Sequence, residues 1–336
     1  MVLHRDISFT SLTTLRVGGI ARFVADCRDV SDVREAIHFA ANQNIPWRVL
    51  GEGSNVLASD EGFKGVVIRL LSKDIEERLG TEGALLTAHA GMAWDLFVRE
   101  AAERALWGIE NLAGIPGTVG AAPIQNIGAY GTEVRDTLYE VEVLDTVTDE
   151  IKVYPNSACS FGYRSSRFKQ RPSEIILSVT FLLSNHPSPK LEYADMSRAL
   201  EQGEDVSTPA AIGTVVRAIR ARKFPDLTEC GSAGSFFKNP IITNDAFLKL
   251  QELHPELPGY HNEHGVKVPL GFILDRVLGL RGYRQGNVRL YEHQALVLVA
   301  DGTATSTEVS VFAESVASLV EKKTGLKIER EVQNFL

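Results

Sequence analysis

Residues 114–131, GIPGTVGAAPIQNIGAYG, carry five glycines in an otherwise apolar and amide run, three of them spaced by three at Gly114, Gly117 and Gly120. Backbone matters more than side chains in such a stretch. Glycine admits positive φ and lets main-chain N–H groups come close to a ligand, which suits an extended polyphosphate or a flat heterocycle. The spacing is GxxGxxG rather than the GxGxxG of a dinucleotide-binding Rossmann turn, and no GK[ST] follows as in a Walker A loop. A different nucleotide-binding architecture is therefore indicated.

At 336 residues the chain exceeds one ordinary hydrophobic core, so two or three domains are expected. Its 44% hydrophobic and 23% charged residues are those of a soluble globular protein. A net charge of −8 argues against nucleic acid or an anionic membrane as partner, and an anionic ligand would need a local cluster of Lys and Arg. No run reaches the roughly 18 apolar residues of a membrane span, and MVLHRDISFTS lacks a signal core. A cytoplasmic protein is expected. Cys27, Cys159 and Cys230 are far apart and form no CxxC pair, which fits a reducing compartment without structural zinc.

Residues 22–26 alternate like a strand, Val33, Ala36, Ile37 and Ala40 share a helical face, and residues 47–50 resume strand character, giving a βαβ unit. The unit ends in GEGSNVL (51–57), a second glycine loop at the C-terminal end of a strand, where α/β folds bind ligands. Strands are expected at 66–70, 85–89, 138–144, 150–154, 174–183 and 211–221, with a helix at 93–106. The turn-rich KFPDLTECGSAG (223–234) marks a domain boundary. Beyond it helices are expected at 245–253, 270–278 and 308–323 and a strand at 295–300. Thr305 and Glu308 supply a capping box for the last helix, and Gly325 a stop.

Several constellations could carry chemistry. In GSAGSFFKNP (231–240), Ser235 fails as a GxSxG nucleophile elbow, because Phe237 stands where glycine is required. A proton donor in a small-residue turn and a plain Ser-Gly turn both remain open. Glu329 and Glu331 are two apart, on one face if their segment is a strand, and such a pair is ordinarily a solvated edge. In FGYRSSRFK (161–169), Arg164 and Arg167 offer planar forks for a carboxylate or phosphate, or for structural salt bridges. His261 and His264 have HxxH spacing, but no further ligand type clusters nearby, so no metal site is expected. His89 and His293 read as packed histidines, and Cys230 as a packed thiol without a histidine partner.

Six motifs in order, RVGG (16–19), GEGSNVL (51–57), IPGTVGAAPIQNIGAYG (115–131), FGYR (161–164), GSAGSFFKNP (231–240) and EREV (329–332), span nearly the whole chain. With them the chain resembles the UDP-N-acetylenolpyruvoylglucosamine reductases, flavoproteins of peptidoglycan precursor synthesis. The resemblance implies an α+β protein with an FAD-binding fold of the vanillyl-alcohol-oxidase type in two subdomains, 1–70 and 71–222. A C-terminal α/β substrate-binding domain at 223–325 and a terminal strand at 326–336 carrying a catalytic glutamate would complete it. FAD would be held non-covalently, since neither glycine loop contains His or Cys. Its implied contacts are Gly51, Gly53, Ser54, Asn55 and Val56 in one loop and Ile115, Gly117, Gly120, Gln125, Asn126, Gly128 and Tyr130 in the other. Arg164, Ser235 and Glu331 take the catalytic positions. At Arg330 the family commonly has proline, a change in local stiffness that leaves the acid in place. Tyr193, in LEYADM, matches the tyrosine of the extra loop that marks the longer type of the enzyme. Tyr163, Lys223, Asn239, Tyr260, Lys267 and Gln294 would hold the UDP and sugar portions.

The implied reaction makes sense of these residue types. NADPH reduces FAD and leaves, and the enolpyruvyl ether of the UDP-sugar then accepts hydride from flavin N5 to become UDP-N-acetylmuramate. Charge develops on the carbon beside the carboxylate. Arg164 would pair with that carboxylate, Glu331 would be protonated beside the anion and hydrogen-bond to it, and Ser235 would protonate the carbon. A monomer is expected. An FAD-linked oxidase on the same fold would leave GSFFKNP and EREV without a role, and a non-enzymatic nucleotide-sugar-binding regulator would not need all three catalytic types.

Overall fold

The helix Pro209–Lys223 illustrates how local chemistry builds this chain. Proline stands at its first position, where no N–H is needed, and the Thr208 hydroxyl accepts from Ala211 N at 3.1 Å. Ile212, Val215, Val216 and Ile219 are all buried, a helical period of i, i+3, i+4 and i+7. The expected strand at 211–221 is therefore corrected to helix: the β-branched residues suggested a strand, but their spacing follows one helix face.

The computed structural model describes residues 1–335 and divides into two compact units. The first comprises Met1–Ile7, Ala21–Glu52 and Lys64–Ala221; the second comprises Ser8–Ile20, Gly53–Phe63 and the chain from Arg222 onward. The units are thus discontinuous, unlike the linear segments 1–70, 71–222, 223–325 and 326–336. Thr14 N bonds Gly53 O at 3.2 Å, Ser232 N bonds Thr14 O at 2.9 Å, and Gln333–Phe335 pairs in parallel with Val56–Ala58, which ties the two early segments to the C-terminal residues.

Within the first unit one sheet orders Val2–Ser8, Ile20–Cys27, Phe63–Leu70 and Trp47–Val49, with the last two parallel. The helix Val30–Asn42 buries Val33, Ala36 and Ala40 in a core shared with Phe23, Val66 and Ile68. Asp29 caps it by accepting from Asp32 N. A five-stranded antiparallel sheet orders Glu150–Pro155, Leu138–Asp145, Glu174–Ser184, Gly83–His89 and Ile75–Leu79. Against it the helix Trp94–Glu103 sets Trp94 and Phe97 on Phe181, with ring centroids 5.1–5.8 Å apart. A short two-stranded sheet, Gly128–Ala129 with Thr132–Glu133, accompanies these two sheets in the unit, whose described residues form two cores.

The second unit is built on the sheet Gly231–Ser235, Val297–Ala300, Val288–Leu290 and Arg284–Gln285. The helix Ser306–Thr324 buries Val309, Phe312, Val316 and Val320; the expected Thr305–Glu308 capping box is present, and Gly325 closes it at φ 72°. The stretch expected as one helix at 270–278 is a short helix, Leu270–Phe272, running into a π-helical turn, Ile273–Val277. The α+β class expected from the sequence is borne out.

Candidate active site

In the first unit the glycine run is clamped by main-chain and charged groups. Gly114 N donates to Asp95 Oδ1 at 2.6 Å, and Gly114 O accepts from Arg220 Nε at 2.9 Å. Gly117 N donates to Glu52 Oε2 at 2.8 Å, and Gly120 N to Ala90 O at 3.0 Å. These glycine amides serve the protein itself. Close approach of neighbouring groups accounts for the residue type at two glycines of the loops. A Cβ on Gly120 would stand 2.6 Å from the Ala90 Cβ, and one on Gly51 would stand 2.9 Å from Thr118 Oγ1. The Glu52 bond and this contact bring the end of the first glycine loop against the second.

Downstream, Asn126, Tyr130 and Arg164 adopt left-handed φ values of 45°, 48° and 53°. Such conformations cost side-chain-bearing residues energy and gather at functional sites. Asn126 is wholly buried, its amide donating to Glu133 Oε2 at 2.8 Å and Gly162 O at 3.3 Å and accepting from Arg135 N at 3.0 Å. Its side chain therefore braces the loop. Tyr130 is buried with its ring edge-on to Tyr193, centroids 5.4 Å apart, and burial, only partly offset by Arg220, pushes its phenol up to about 12. The two arginines of FGYRSSRFK part ways. Arg167 is structural: it forks onto the buried Glu174 at 2.8 and 3.1 Å and stacks 3.7 Å over Tyr154. Arg164 Nη2 instead donates to Gly128 O at 3.0 Å, and its guanidinium lies 5.4 Å from the Tyr163 ring.

The second unit brings Ser235 and Glu331 onto neighbouring stretches of backbone. Phe237 bridges Arg330 in antiparallel fashion, Glu331 N donates to Phe236 O at 2.9 Å, and Lys238 N donates to Glu329 O at 2.9 Å. The expected common face of the two glutamates is corrected. Glu329 is a solvated partner of Lys238 at 2.8 Å, whereas Glu331 is 9% exposed and the strand begins only at Gln333. Single bridge pairing does not impose the alternation of a sheet. Asn55 ties the other loop to this acid, donating from Nδ2 to Glu331 O at 3.3 Å, and Gln333 N donates to Asn55 O at 3.1 Å. Of GEGSNVL, Gly53, Ser54, Asn55 and Val56 belong to this unit and Gly51 to the first.

Of the residues expected to hold the UDP and sugar portions, Lys223, Asn239, Tyr260, Lys267 and Gln294 belong to the second unit. Tyr260 and Lys267 stand opposite each other in a hairpin, and Lys267 also pairs with Ile241. Asn239 Oδ1 accepts from Leu270 N at 2.9 Å, and Gln294 lies where a Cβ on Gly271 would be 3.0 Å from its Oε1. Lys223 ends the helix Pro209–Lys223. His261 lies in the first strand of the same hairpin and His264 in its turn, and among the described residues no group of three or more His, Cys, Asp or Glu is placed to hold a metal. Burial pushes the Cys230 thiol up, against a nucleophile. Sequence reasoning missed Asp95, Glu52, Arg220 and Ser232. No motif marks a residue whose partner is a backbone atom distant in sequence, although Glu52 lies inside a glycine motif.

Comparison with known proteins decides the family. A model described as "FAD binding domain" matches residues 21–153, and one described as "UDP-N-acetylenolpyruvoylglucosamine reductase, C-terminal domain" matches residues 226–335. The UDP-N-acetylenolpyruvoylglucosamine reductase of Pseudomonas aeruginosa is 39% identical, the alignment covering 98% of each chain. The chain belongs to the UDP-N-acetylenolpyruvoylglucosamine reductase family. Its relative in Porphyromonas gingivalis is 36% identical with 100% of both chains covered. The crystal structure of UDP-N-acetylenolpyruvylglucosamine reductase (MurB) from Thermus caldophilus superposes with a TM-score of 0.69 at 27% identity, covering 100% of each chain. The two matched regions contain both glycine loops and the GSFFKNP and EREV segments. Among the described residues no helix is long and apolar enough to cross a membrane.

Proposed function

We propose that this protein is an FAD-containing, NADPH-dependent reductase converting UDP-N-acetyl-3-O-(1-carboxyvinyl)glucosamine to UDP-N-acetylmuramate for peptidoglycan synthesis. The observation carrying this reading is 36–39% identity over 98–100% of the chain with reductases of that name, together with Ser235 and Glu331 on adjacent backbone in the C-terminal unit. The first unit fits a flavin nucleotide. A Cβ on Gly51 would stand 2.9 Å from Thr118 Oγ1 and one on Gly120 2.6 Å from the Ala90 Cβ, so each loop carries bare main chain at these points. Gly51, Ile115, Gln125, Gly128 and Tyr130 would line the cofactor, while Gly117, Gly120 and Asn126 set the loop's shape.

When bound, FAD supplies the two-electron transfer from NADPH to the enol ether double bond. The chain's own residues handle charge and protons. Arg164, oriented by Gly128 O, pairs with the substrate carboxylate. Glu331, buried and held by its own main chain, hydrogen-bonds the developing anion. Ser235 delivers a proton to the carbon, which a hydroxyl can do because a carbanion is a much stronger base than an alkoxide. Tyr193, Lys223, Asn239, Tyr260, Lys267 and Gln294 bind the nucleotide and sugar.

The test is single-turnover kinetics on Ser235→Ala. The variant is expected to retain FAD and its rate of reduction by NADPH, while reoxidation by the enolpyruvyl nucleotide sugar slows by roughly 10²–10⁴-fold. Unchanged reoxidation would remove Ser235 from the chemistry.

A further inference from the structure

We propose that Ser232 is the positioning residue for Ser235, acting through a β-bulge that its hydroxyl locks. This rests on the role assigned to Ser235 above. The strand Gly231–Ser235 pairs with Val297–Ala300 so that Gly231 faces Ala300 and Ser232 faces Val299, but Ser235 faces Val297. Three steps on one strand are matched by two on the other. Ala233 and Gly234 therefore share the single place opposite Leu298, and Gly234 takes φ 72°. Such a bulge reverses the alternation beyond it. In an unbulged strand Ser235 would face Leu296 and point to the opposite side of the sheet.

Ser232 holds both sides of this irregularity. Its hydroxyl donates to Leu298 O at 2.8 Å and accepts from Gly234 N at 3.2 Å, and the residue is 2% exposed. The strand cannot relax from its start. Ser232 N is bonded to Thr14 O, and a Cβ on Gly231 would stand 2.1 Å from Leu15 O. Beyond Ser235, Phe236 and Phe237 are fully buried and oppose a complete slip. Removal of the hydroxyl should thus loosen Ser235 without inverting the strand, and misplacement on the ångström scale costs about 10–100-fold in rate.

Flavin-loaded Ser232→Ala should keep its NADPH half-reaction and lose about 10–100-fold in reoxidation by the enolpyruvyl substrate. If Ser232 works only through Ser235, the double variant Ser232→Ala/Ser235→Ala should be no slower than Ser235→Ala alone. Amide exchange at Gly234 should quicken in Ser232→Ala, a readout independent of turnover. Should Ser232→Ala not fold, Gly234→Ala strains the same φ in open space, where the nearest atom to the new Cβ is 3.9 Å away, and should show the same half-reaction selectivity. Normal reoxidation in the Ser232 variant, slowing that multiplies in the double variant, or equal loss in both half-reactions would overturn the assignment. Normal reoxidation in Ser235→Ala would instead overturn the role of Ser235 itself.

Discussion

Asp95 offers the sharpest test of how the glycine run is held. Its carboxylate accepts from Gly114 N at 2.6 Å, from Arg217 Nε at 2.8 Å and Nη2 at 2.8 Å, and from Arg99 Nε at 3.1 Å. Hydrogen bonds to a charged group contribute about 1.5–3 kcal/mol each, but they are not additive. The Asp95 and Arg217 side chains are 30% and 21% exposed, so water regains part of the interaction when the pair breaks. Asp95→Ala should therefore cost about 2–4 kcal/mol and Asp95→Asn, which keeps an acceptor for Gly114 N, about 1–2 kcal/mol. For a unit of this size each kcal/mol lowers the Tm by about 2–4 °C. Burial pushes the Asp95 carboxyl up, but Arg217 and the Gly114 amide outweigh it and hold it below the ordinary aspartate value. Because the folded value is depressed, this stabilisation is complete above the unfolded value of about 3.9 and is lost as pH falls through the folded one. Urea titrations of wild type and Asp95→Asn at pH 7 and near pH 3 provide the assay. The gap should narrow toward the acid end. A gap below about 0.5 kcal/mol at neutral pH, or one that does not change with pH, would refute the clamp.

Asp60 accepts from Ser306 N at 2.7 Å, Thr307 N at 2.8 Å and Thr307 Oγ1 at 2.7 Å at the start of the helix Ser306–Thr324, so Asp60→Ala should cost about 1–2 kcal/mol in denaturant melts. Gly120→Ala, which sets a methyl 2.6 Å from the Ala90 Cβ, should destabilise by about 1–3 kcal/mol and lower FAD retention on dilution. Tyr130 should be among the last tyrosines to ionise in an ultraviolet titration, since burial raises its folded value to about 12. The unfolded chain ionises near 10, so this contribution to stability is present below about pH 10 and lost as pH rises toward 12, and Tyr130→Phe should remove that alkaline slope.

The parts of this architecture that were legible in the sequence are those where neighbouring residues decide the outcome. Thr305 and Glu308 cap a helix because they stand three positions apart, and the run of apolar, β-branched and aromatic residues over 174–183 gives a strand. The motif residues Ser235 and Glu331 were legible as a resemblance, and their backbones do run side by side. What stayed hidden depends on partners far along the chain. Val215 and Val216 read as strand until Ile212 and Ile219 are counted on the same helical face. Glu329 and Glu331 look equivalent by spacing, yet one meets Lys238 in solvent while the other is covered. The glycine run shows the same limit most clearly. Its GxxGxxG spacing announces main chain brought close to something, but the something at Gly114, Gly117 and Gly120 is Asp95, Glu52 and Ala90, from three different places in the sequence. A ligand and a packed neighbour demand the same absence of a side chain, so only the location of the acceptors distinguishes a loop that binds through its glycine amides from one whose glycines let it be held in shape.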